Sequence, residues 1–573
     1  MQRERVRMID GVAALPRNSD VADQLELLAD LLEIEGEASF RILAYRRAAT
    51  RIRETAGSVA ELALAGRAKQ LSGIGKTIEE KIVQVVEDGE MHALTKRKGR
   101  IPPEVVLFTR LPGLGPKTAA RIWQELGVTT VEELKHAAEN ERLRTLTGLG
   151  AKTEERVLKA LAEKKQEPSD RRLLGDGLGA LLAVVSVLRE HPAAVQVSEA
   201  GSARRRKETF RDLDIIATAT DGDALIDYFT KLAWVVEVVA KGPSKATVLS
   251  NEGLRFDLRV VPPESYGNLL QHFTGSKDHN VALRERAVKD GLSVSEYSIT
   301  VVETEEELRY GSEDEVYERL GYQFIPPELR ENAGELEAAR KGELPELVEL
   351  GDIKGDLHCH STWSDGRHTL EQMALAARDR GYAYLAITDH PRGTLVEQDL
   401  EVDALNERLK PFRILKGIEV NIRVDGSLSL PDEALAERDW VIASLHGAFD
   451  RDATERVLAA MDNPHVDLIG HLTARKINIR GPADVNVERV VERAAETRTF
   501  LEINSQPNRL DLRDTHARLA GEAGVKIAVN TDSHELRALQ HIEMGVAQAR
   551  RAWLTSEQVL NTRSWPQIRK LLK

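Results

Sequence analysis

Between residues 352 and 573 the chain alternates short apolar runs with helical stretches, and most runs end on metal-type ligands. The runs are 354–360, 384–390, 413–421, 440–446, 466–471, 499–505 and 526–532. Repeated βα units impose parallel strands, because a parallel neighbour is reached only through a crossover, and seven of them can close into a barrel. Six of the seven runs finish on histidine, aspartate or glutamate: His358-Cys-His360, Thr-Asp-His390, Gly-Ile-Glu419, Ser-Leu-His446, Gly-His471 and Asp532-Ser-His534. Asp365 follows in the loop after the first run. Strand C-termini are where such barrels carry their sites. One histidine at a strand end is most often a hydrogen-bonded core residue. Nine candidates at one mouth exceed the needs of one ion and point to two or three, and mixed imidazole and carboxylate suits Mn²⁺, Zn²⁺ or Fe. Alternation along the first run turns His358 and His360 one way and Cys359 the other.

A length of 573 residues implies about three or four domains. Residues 1–162 read as helical, and a short pattern recurs three times there. The copies are Leu71-Ser-Gly73-Ile-Gly75-Lys76, Leu111-Pro-Gly113-Leu-Gly115-Pro-Lys117 and Leu146-Thr-Gly148-Leu-Gly150-Ala-Lys152. The glycines allow a tight turn and close approach of a phosphate, and the following helix aims its free N–H groups at it. A single copy reads as an ordinary glycine-terminated helix. Three copies, each with a lysine, favour DNA bound through its phosphates without regard to sequence. Lys81 lies one turn past Thr77. As a phosphate-pairing or solvated lysine it needs no further role, but an amine there could also attack an aldehydic abasic sugar. Polar residues 163–172 read as a linker.

Residues 173–335 are mixed, with a helix at 173–189, strand-like runs at 193–199, 212–217, 234–240 and 254–261, then helical and turn-rich sequence. Asp212 and Asp214 stand at i and i+2 on one run, so their side chains share a face, roughly 6–7 Å apart at the backbone. Asp257 interrupts the apolar run LRFDLRVV, where a charge is costly unless paired or metal-bound. Three such carboxylates can hold two Mg²⁺ or Mn²⁺ ions about 3.5–4 Å apart, which activate a 3′-hydroxyl and stabilise a leaving pyrophosphate. Gly201-Ser202 offers N–H groups and a hydroxyl to phosphate, and Arg205 a planar fork. The alternative is a surface strand with alternating acids beside a basic turn.

The net charge of −13 does not exclude a nucleic-acid partner, because DNA responds to charge within about a Debye length of 8–10 Å. The lone cysteine, Cys359, forms no internal disulfide and fits a reducing cytoplasm. No secretory h-region opens the chain, and no window supplies the roughly 18 apolar residues of a membrane helix.

On Gly201-Ser202, Arg205, Asp212, Asp214, Asp257 and the run Phe273-Thr-Gly-Ser-Lys-Asp-His-Asn280, residues 1–335 resemble the DNA polymerase X family, the family of polymerase beta. The resemblance implies a helical lyase-like domain followed by fingers, palm and thumb. It implies that Asp212 and Asp214 bind both metals and that Asp257 helps deprotonate the primer. It places Gly275, Asn280 and Arg284 at the incoming nucleotide and aligns Lys81 with the family's Schiff-base lysine. Two departures stand out: His272-Phe273 replaces the family's Tyr-Phe pair, and Arg211 replaces a glycine before the first catalytic aspartate. They imply slow synthesis with loose sugar selection. Residues 353–573 resemble the polymerase and histidinol phosphatase (PHP) domain, with His358, His360, Asp365, His390, Glu419, His446, His471, Asp532 and His534 each on a family ligand position. That resemblance implies a Mn²⁺-dependent 3′–5′ exonuclease, with cleavage at abasic sites or 3′-phosphate removal as further options. Arg475 and Arg509 are candidate phosphate contacts.

The expected fold is an all-α helix-hairpin-helix region, an α+β nucleotidyltransferase palm and thumb, and a C-terminal α/β domain, a distorted seven-stranded βα barrel. Expected boundaries are 1–98 and 99–168 for the two helical parts, 169–262 for the palm, 263–335 for the thumb, 336–352 for a linker and 353–573 for the PHP domain. The expected protein is a monomeric cytoplasmic repair polymerase, associated with the nucleoid. Gapped or primer-template DNA and dNTPs are its substrates, other repair proteins are candidate partners, and membranes are not. The rival readings are a small-molecule phosphatase and a non-catalytic DNA-repair scaffold.

Overall fold

The computed structural model describes residues 15–573 apart from 17, 56–57, 103, 110–113, 147–148, 163–170, 392–394 and 450. The chain divides into a helical unit, Met1–Pro168, and a second unit, Ser169–Lys573.

In the helical unit one core runs from Val21 to Val157, joining the two parts that the sequence separates at residue 98. Val21, Leu25, Leu28 and Leu32 recur at helical spacing along helix Asn18–Ile34 and are buried. The hairpin helices are Lys76–Asp88, capped by Gly75, Pro116–Leu126, capped by Gly115, and Ala151–Ala162, which follows Gly150. Ile74 and Leu114, between the hairpin glycines, are buried and anchor their turns. The first and third copies share a further device: buried Glu79 accepts the Lys69 amide at 2.9 Å, and buried Glu154 accepts the Arg144 amide at 2.9 Å. Both acids tie the preceding turn to the hairpin helix.

The second unit opens with strands β1 (Arg172–Leu173), β2 (Ala194–Glu199), β3 (Thr209–Phe210), β4 (Leu213–Ala219), β5 (Val235–Lys241), β6 (Lys245–Ser250) and β7 (Arg255–Val260). β1 pairs with β3, and the other five form a sheet in the order β2-β4-β7-β6-β5. β4 and β7 run parallel with Asp214 opposite Asp257. β8 (Leu292–Val294), β9 (Ile299–Val301) and β10 (Glu306–Leu308) make a small antiparallel sheet where the sequence suggests helix and turn. Three-residue strands are too short for alternation to show. Segment 336–352, expected as a linker, is built in: helix Glu335–Lys341 buries Leu336 and Ala339, and Leu347 is buried with them in the thumb core. Val348 enters the barrel core instead.

The barrel strands are β11 (Gly355–Cys359), β12 (Tyr384–Ile387), β13 (Arg413–Asn421), β14 (Trp440–Ser444), β15 (Leu468–Gly470), β16 (Phe500–Asn504) and β17 (Ile527–Asn530), paired in sequence order. β17 returns to β11 through a bridge between Cys359 and Ser533. Alternate residues, among them Tyr384, Ala386, Trp440, Ile442 and Phe500, fill the interior, with Trp440 stacked on Phe500 at 6.0 Å. Trp565 and Ile568 of helix Trp565–Ile568 join that interior cluster. No helix among the described residues is long and apolar enough to cross a membrane.

Palm, thumb and barrel share a continuous seam. Met544, on helix Ile542–Arg551 of the barrel, packs against the palm core, and Trp553 against the thumb core. Glu208 and Arg475, 267 residues apart, form a two-pronged ion pair at 2.6 and 3.1 Å. Burial raises the Glu208 pKa, but Arg475 and Arg513 outweigh it and hold the carboxyl below its ordinary value. Arg475→Met leaves this mostly enclosed acid without its main partner, and the expected loss of stability is about 3 kcal/mol. Chemical denaturation of the full chain measures it. The double variant Glu208→Gln/Arg475→Met should recover most of the loss, and a single-variant loss below about 0.5 kcal/mol, the level of a neutral surface change, contradicts the pairing.

Candidate active sites

Parallel pairing of β4 with β7 brings Asp214 and Asp257 side by side, and Asp212 stands at the mouth of β4. Burial raises the Asp214 pKa, and the neighbouring Asp257 and Asp212 push it further, to about 7. This clustering of like charge is what a divalent cation relieves. Arg255 reaches Asp212 at 3.4 Å and Asp257 at 3.5 Å, and the Thr247 hydroxyl donates to Asp257. Gly201 takes a left-handed φ of +64°, and a Cβ there would sit 2.1 Å from the Asp214 carboxylate. Only glycine lets the Gly201-Ser202 turn lie against the acids. Arg211 sits 3.2 Å from Asp212 with its side chain exposed.

Arg205 is engaged within the protein. Its guanidinium is buried, donating to the Thr274 carbonyl at 2.7 Å and to Glu331 at 3.0 Å, so its fork is filled by protein groups rather than turned to an open site. Arg204 is likewise tied to Thr274 and Glu313, and Arg206 to Glu199. The remaining nucleotide-side residues form one linked set. Arg284 donates to His272 Nδ1 at 2.9 Å, Asn280 donates to the His272 carbonyl at 2.7 Å, and Arg259 lies 4.3 Å over the Phe273 ring. Burial and Arg284 hold His272 below the ordinary imidazole pKa. A Cβ on Gly275 would meet Asn280 Oδ1 at 2.4 Å, so the contact requires glycine.

At the barrel mouth Glu419 is the hub. Its carboxylate lies 3.3 Å from His358, 3.4 Å from His360, 3.5 Å from His390, 3.5 Å from His446 and 3.2 Å from His471. Asp532 reaches His360 at 3.3 Å, and Asp365 reaches His534 at 3.5 Å and His360 at 3.6 Å. Three overlapping groups result: His358, His360 and Asp532; His360, Asp365 and His390; His390, Glu419 and His446. The donor atoms fit bound metal, because His358 Nε2, His360 Nε2 and Glu419 Oε1 are buried with no hydrogen-bond partner. Burial raises the Glu419 pKa, but His358 and His471 overcome it and hold the acid well below its ordinary value. His471 and Asp532 adopt positive φ of 26° and 49°, the local strain common where side chains are aimed at a site.

Sequence reasoning missed the outer layer. Glu502 bonds His358 Nδ1 at 2.7 Å and accepts the His471 amide at 2.8 Å. Asn504 donates to Asp532 at 2.9 Å, and Asn421 bonds His446 Nδ1 at 2.6 Å. Such partners orient ligating imidazoles. The signal was present in β16, the run without a terminal ligand, where Glu502 and Asn504 alternate with apolar residues. Arg509 lies 3.9 Å from Asp532, beside the cluster. Arg475 does not: it is the buried partner of Glu208 and also donates to the Leu510 carbonyl.

In the helical unit Gly73, Gly75, Gly115 and Gly150 are exposed, and a Cβ at any of them would meet nothing within 4 Å. Gly113 and Gly148 lie outside the described residues. Lys81 is half-buried, and burial and Arg97 lower its pKa.

The chain matches four sequence families: a helix-hairpin-helix domain over 16–91, a SAM-like helix-hairpin-helix tandem over 105–163, a DNA polymerase beta thumb over 269–331 and a PHP domain over 356–506. It is 38% identical over 570 residues to the DNA polymerase/3′-5′ exonuclease PolX of Bacillus subtilis (strain 168), covering 97% of this chain and 99% of that protein. A probable phosphatase of Thermoanaerobacter pseudethanolicus is 32% identical over 226 residues, 36% of this chain and 89% of that protein. DNA polymerase lambda of Rattus norvegicus is 23% identical over 342 residues, 55% of this chain and 56% of that protein.

A pH dependence follows from Asp214. Its folded pKa is raised, so the proton is kept until pH rises through about 7, and a divalent ion binding below that pH has to displace it. Mg²⁺ affinity at the palm should fall about fivefold between pH 7 and pH 6, and calorimetric titration with the barrel ligands intact checks it. Equal affinities at the two values contradict the clustering described above.

Proposed function

This chain belongs to the DNA polymerase/3′-5′ exonuclease PolX family, and we propose that it fills short gaps during DNA repair and trims the 3′ ends it meets there. The observation that carries this reading is the presence, in one chain alike to PolX over 97% of its length, of both a three-carboxylate palm and a barrel-mouth ligand cluster.

In the palm, Asp212, Asp214 and Asp257 hold two Mg²⁺ or Mn²⁺ ions, which when bound supply positive charge to a triphosphate and acidify a 3′-hydroxyl. Asp257, steadied by Thr247, takes the primer proton. Gly201 and Ser202 present backbone N–H groups and a hydroxyl to phosphate, and Arg205 contributes its charge. His272, Phe273, Gly275, Asn280 and Arg284 receive the sugar and base of a dNTP. A neutral imidazole tethered by Arg284 is smaller than the family's tyrosine, which supports loose exclusion of ribonucleotides.

At the barrel His358, His360, Asp365, His390, Glu419, His446, His471, Asp532 and His534 hold two or three Mn²⁺, Zn²⁺ or Fe ions, which supply Lewis acidity toward a phosphodiester. Glu502, Asn504 and Asn421 keep the ligands aimed, and Arg509 offers its guanidinium to the substrate phosphate. The hairpin glycines and Lys76, Lys117 and Lys152 grip the DNA backbone without reading its sequence. Lys81, with its lowered pKa, carries more free amine for abasic-sugar lyase chemistry. The protein acts as a monomer in the cytoplasm, at the nucleoid. The likeness of the barrel to a probable phosphatase supports 3′-phosphate removal as a second use of that site.

A labelled primer on single-nucleotide-gapped DNA with Mn²⁺ tests the division of labour. Asp257→Ala should abolish extension and keep shortening, and His358→Ala the reverse. A change that removes both activities equally from folded protein rejects the two-site reading. Competition between dNTP and rNTP in the same assay should show only modest preference for deoxyribose, and replicative-grade discrimination would refute the His272 argument.

A further inference from the structure

Arg205 stands at the C-terminal end of the short helix Gly201–Arg204, close enough to Asp214 that its charge lowers that acid's pKa. An arginine there is placed to take a nucleotide phosphate, yet its Nε donates to Glu331. Glu331 Oε1 is also met by Arg551 at 3.1 Å and by Lys207 at 3.6 Å. Three cations therefore converge on one carboxylate oxygen. Burial raises the Glu331 pKa, but Lys207, Arg551 and Arg205 outweigh it and hold the acid at about 2.

The three cations are not equivalent. Arg551 is almost fully buried and is anchored on the barrel by Asp514 at 2.5 Å, while its other arm donates to the Arg205 carbonyl at 2.9 Å. Lys207 has a third of its side chain exposed. Arg205 is the partner with a competing use, because a triphosphate offers it a better anion than a carboxylate already shared three ways. If Arg205 turns away, Glu331 stays mostly enclosed, with a fifth of its side chain exposed, and an acid so placed and stripped of its partners is unfavourable. Whether Arg205 can leave depends on which cation remains with Glu331.

We propose that Arg551 of the exonuclease barrel is a positioning residue of the polymerase site, retaining Glu331 when Arg205 turns to the phosphates of the incoming nucleotide. This rests on the gap-filling reading above and deepens it: the barrel contributes to polymerisation through one guanidinium, apart from its own hydrolytic site. Without Arg551, Glu331 clings to Arg205 and withholds it from nucleotide.

The test uses the full chain, single-nucleotide-gapped DNA and one dNTP. Arg551→Met should raise the KM for dNTP at least tenfold with kcat changed less than threefold. Glu331→Gln removes the competing charge, so added to Arg551→Met it should return KM to within threefold of the parent. Exonuclease rate on a 3′ end should stay within twofold in all three proteins. A purely structural role predicts a fall in kcat that Glu331→Gln does not mend. Where Arg551→Met is poorly folded, Arg551→Lys, which keeps the charge and loses the fork, should show an intermediate KM. An unchanged KM in Arg551→Met, or a raised one not reversed by Glu331→Gln, overturns the proposal. Equilibrium binding of dNTP with Mg²⁺ to the protein on dideoxy-terminated gapped DNA separates the two failures. A parent that extends no primer refutes gap filling, while a binding difference between parent and Arg551→Met supports the exchange at Glu331 and its absence refutes it.

Discussion

Charge taken out of water has to be answered by opposite charge, and this chain answers it differently in three places. In the palm, like charges are left together: Asp214 keeps its proton to about pH 7 because Asp212 and Asp257 stand beside it and no protein cation fully compensates them. At the barrel mouth, Glu419 is surrounded by imidazoles, of which His358 Nε2 and His360 Nε2 have no hydrogen-bond partner. Along the seam the compensation is complete within the protein, through Glu208 with Arg475 and Asp514 with Arg551. The first two are arrangements that a metal ion finishes, and the third needs nothing added. The contrast separates sites from scaffold more sharply than burial does, since the palm acids and the seam acids are alike half-buried.

Much of this architecture is legible in the sequence, and the parts that are not share a cause. All seven barrel runs appear as strands, because parallel strands covered on both faces read as continuous apolar segments. Their ligands were visible because alternation and strand ends fix where a side chain points. The three-residue strands β8, β9 and β10 were invisible, since so short a run carries no period. The charge of 336–352 suggested a connector, yet Leu336, Ala339, Leu347 and Val348 are enough to build it into two cores. Arg205 and Arg475 show the deeper limit. Sequence reveals that a guanidinium is present near a site, but its partners, Glu331 and Glu208, lie 126 and 267 residues away and belong to other parts of the chain. No local pattern encodes such a choice.

The hairpin glycines present the opposite case, a residue type explained by what is missing around it. Gly75 and Gly115 have negative φ that any residue adopts, and a side chain at either would strike nothing in the protein. Neither backbone strain nor crowding demands glycine there. A phosphate backbone lying flat against the turn, as proposed above, would supply that demand from outside the chain. Gly201 and Gly275 differ, since each is forced by a carboxylate or amide of the chain itself.

The seam also sets terms for traffic between the two chemistries. With Met544 in the palm core and Trp553 in the thumb core, palm, thumb and barrel interlock, so neither active site travels to the other on a swinging domain. It is the nucleic acid that must do the moving. For a primer terminus that passes between the sites, fraying of its last base pairs is then part of the journey. A mismatched end is already partly melted, so the duplex itself contributes to telling it from a paired one.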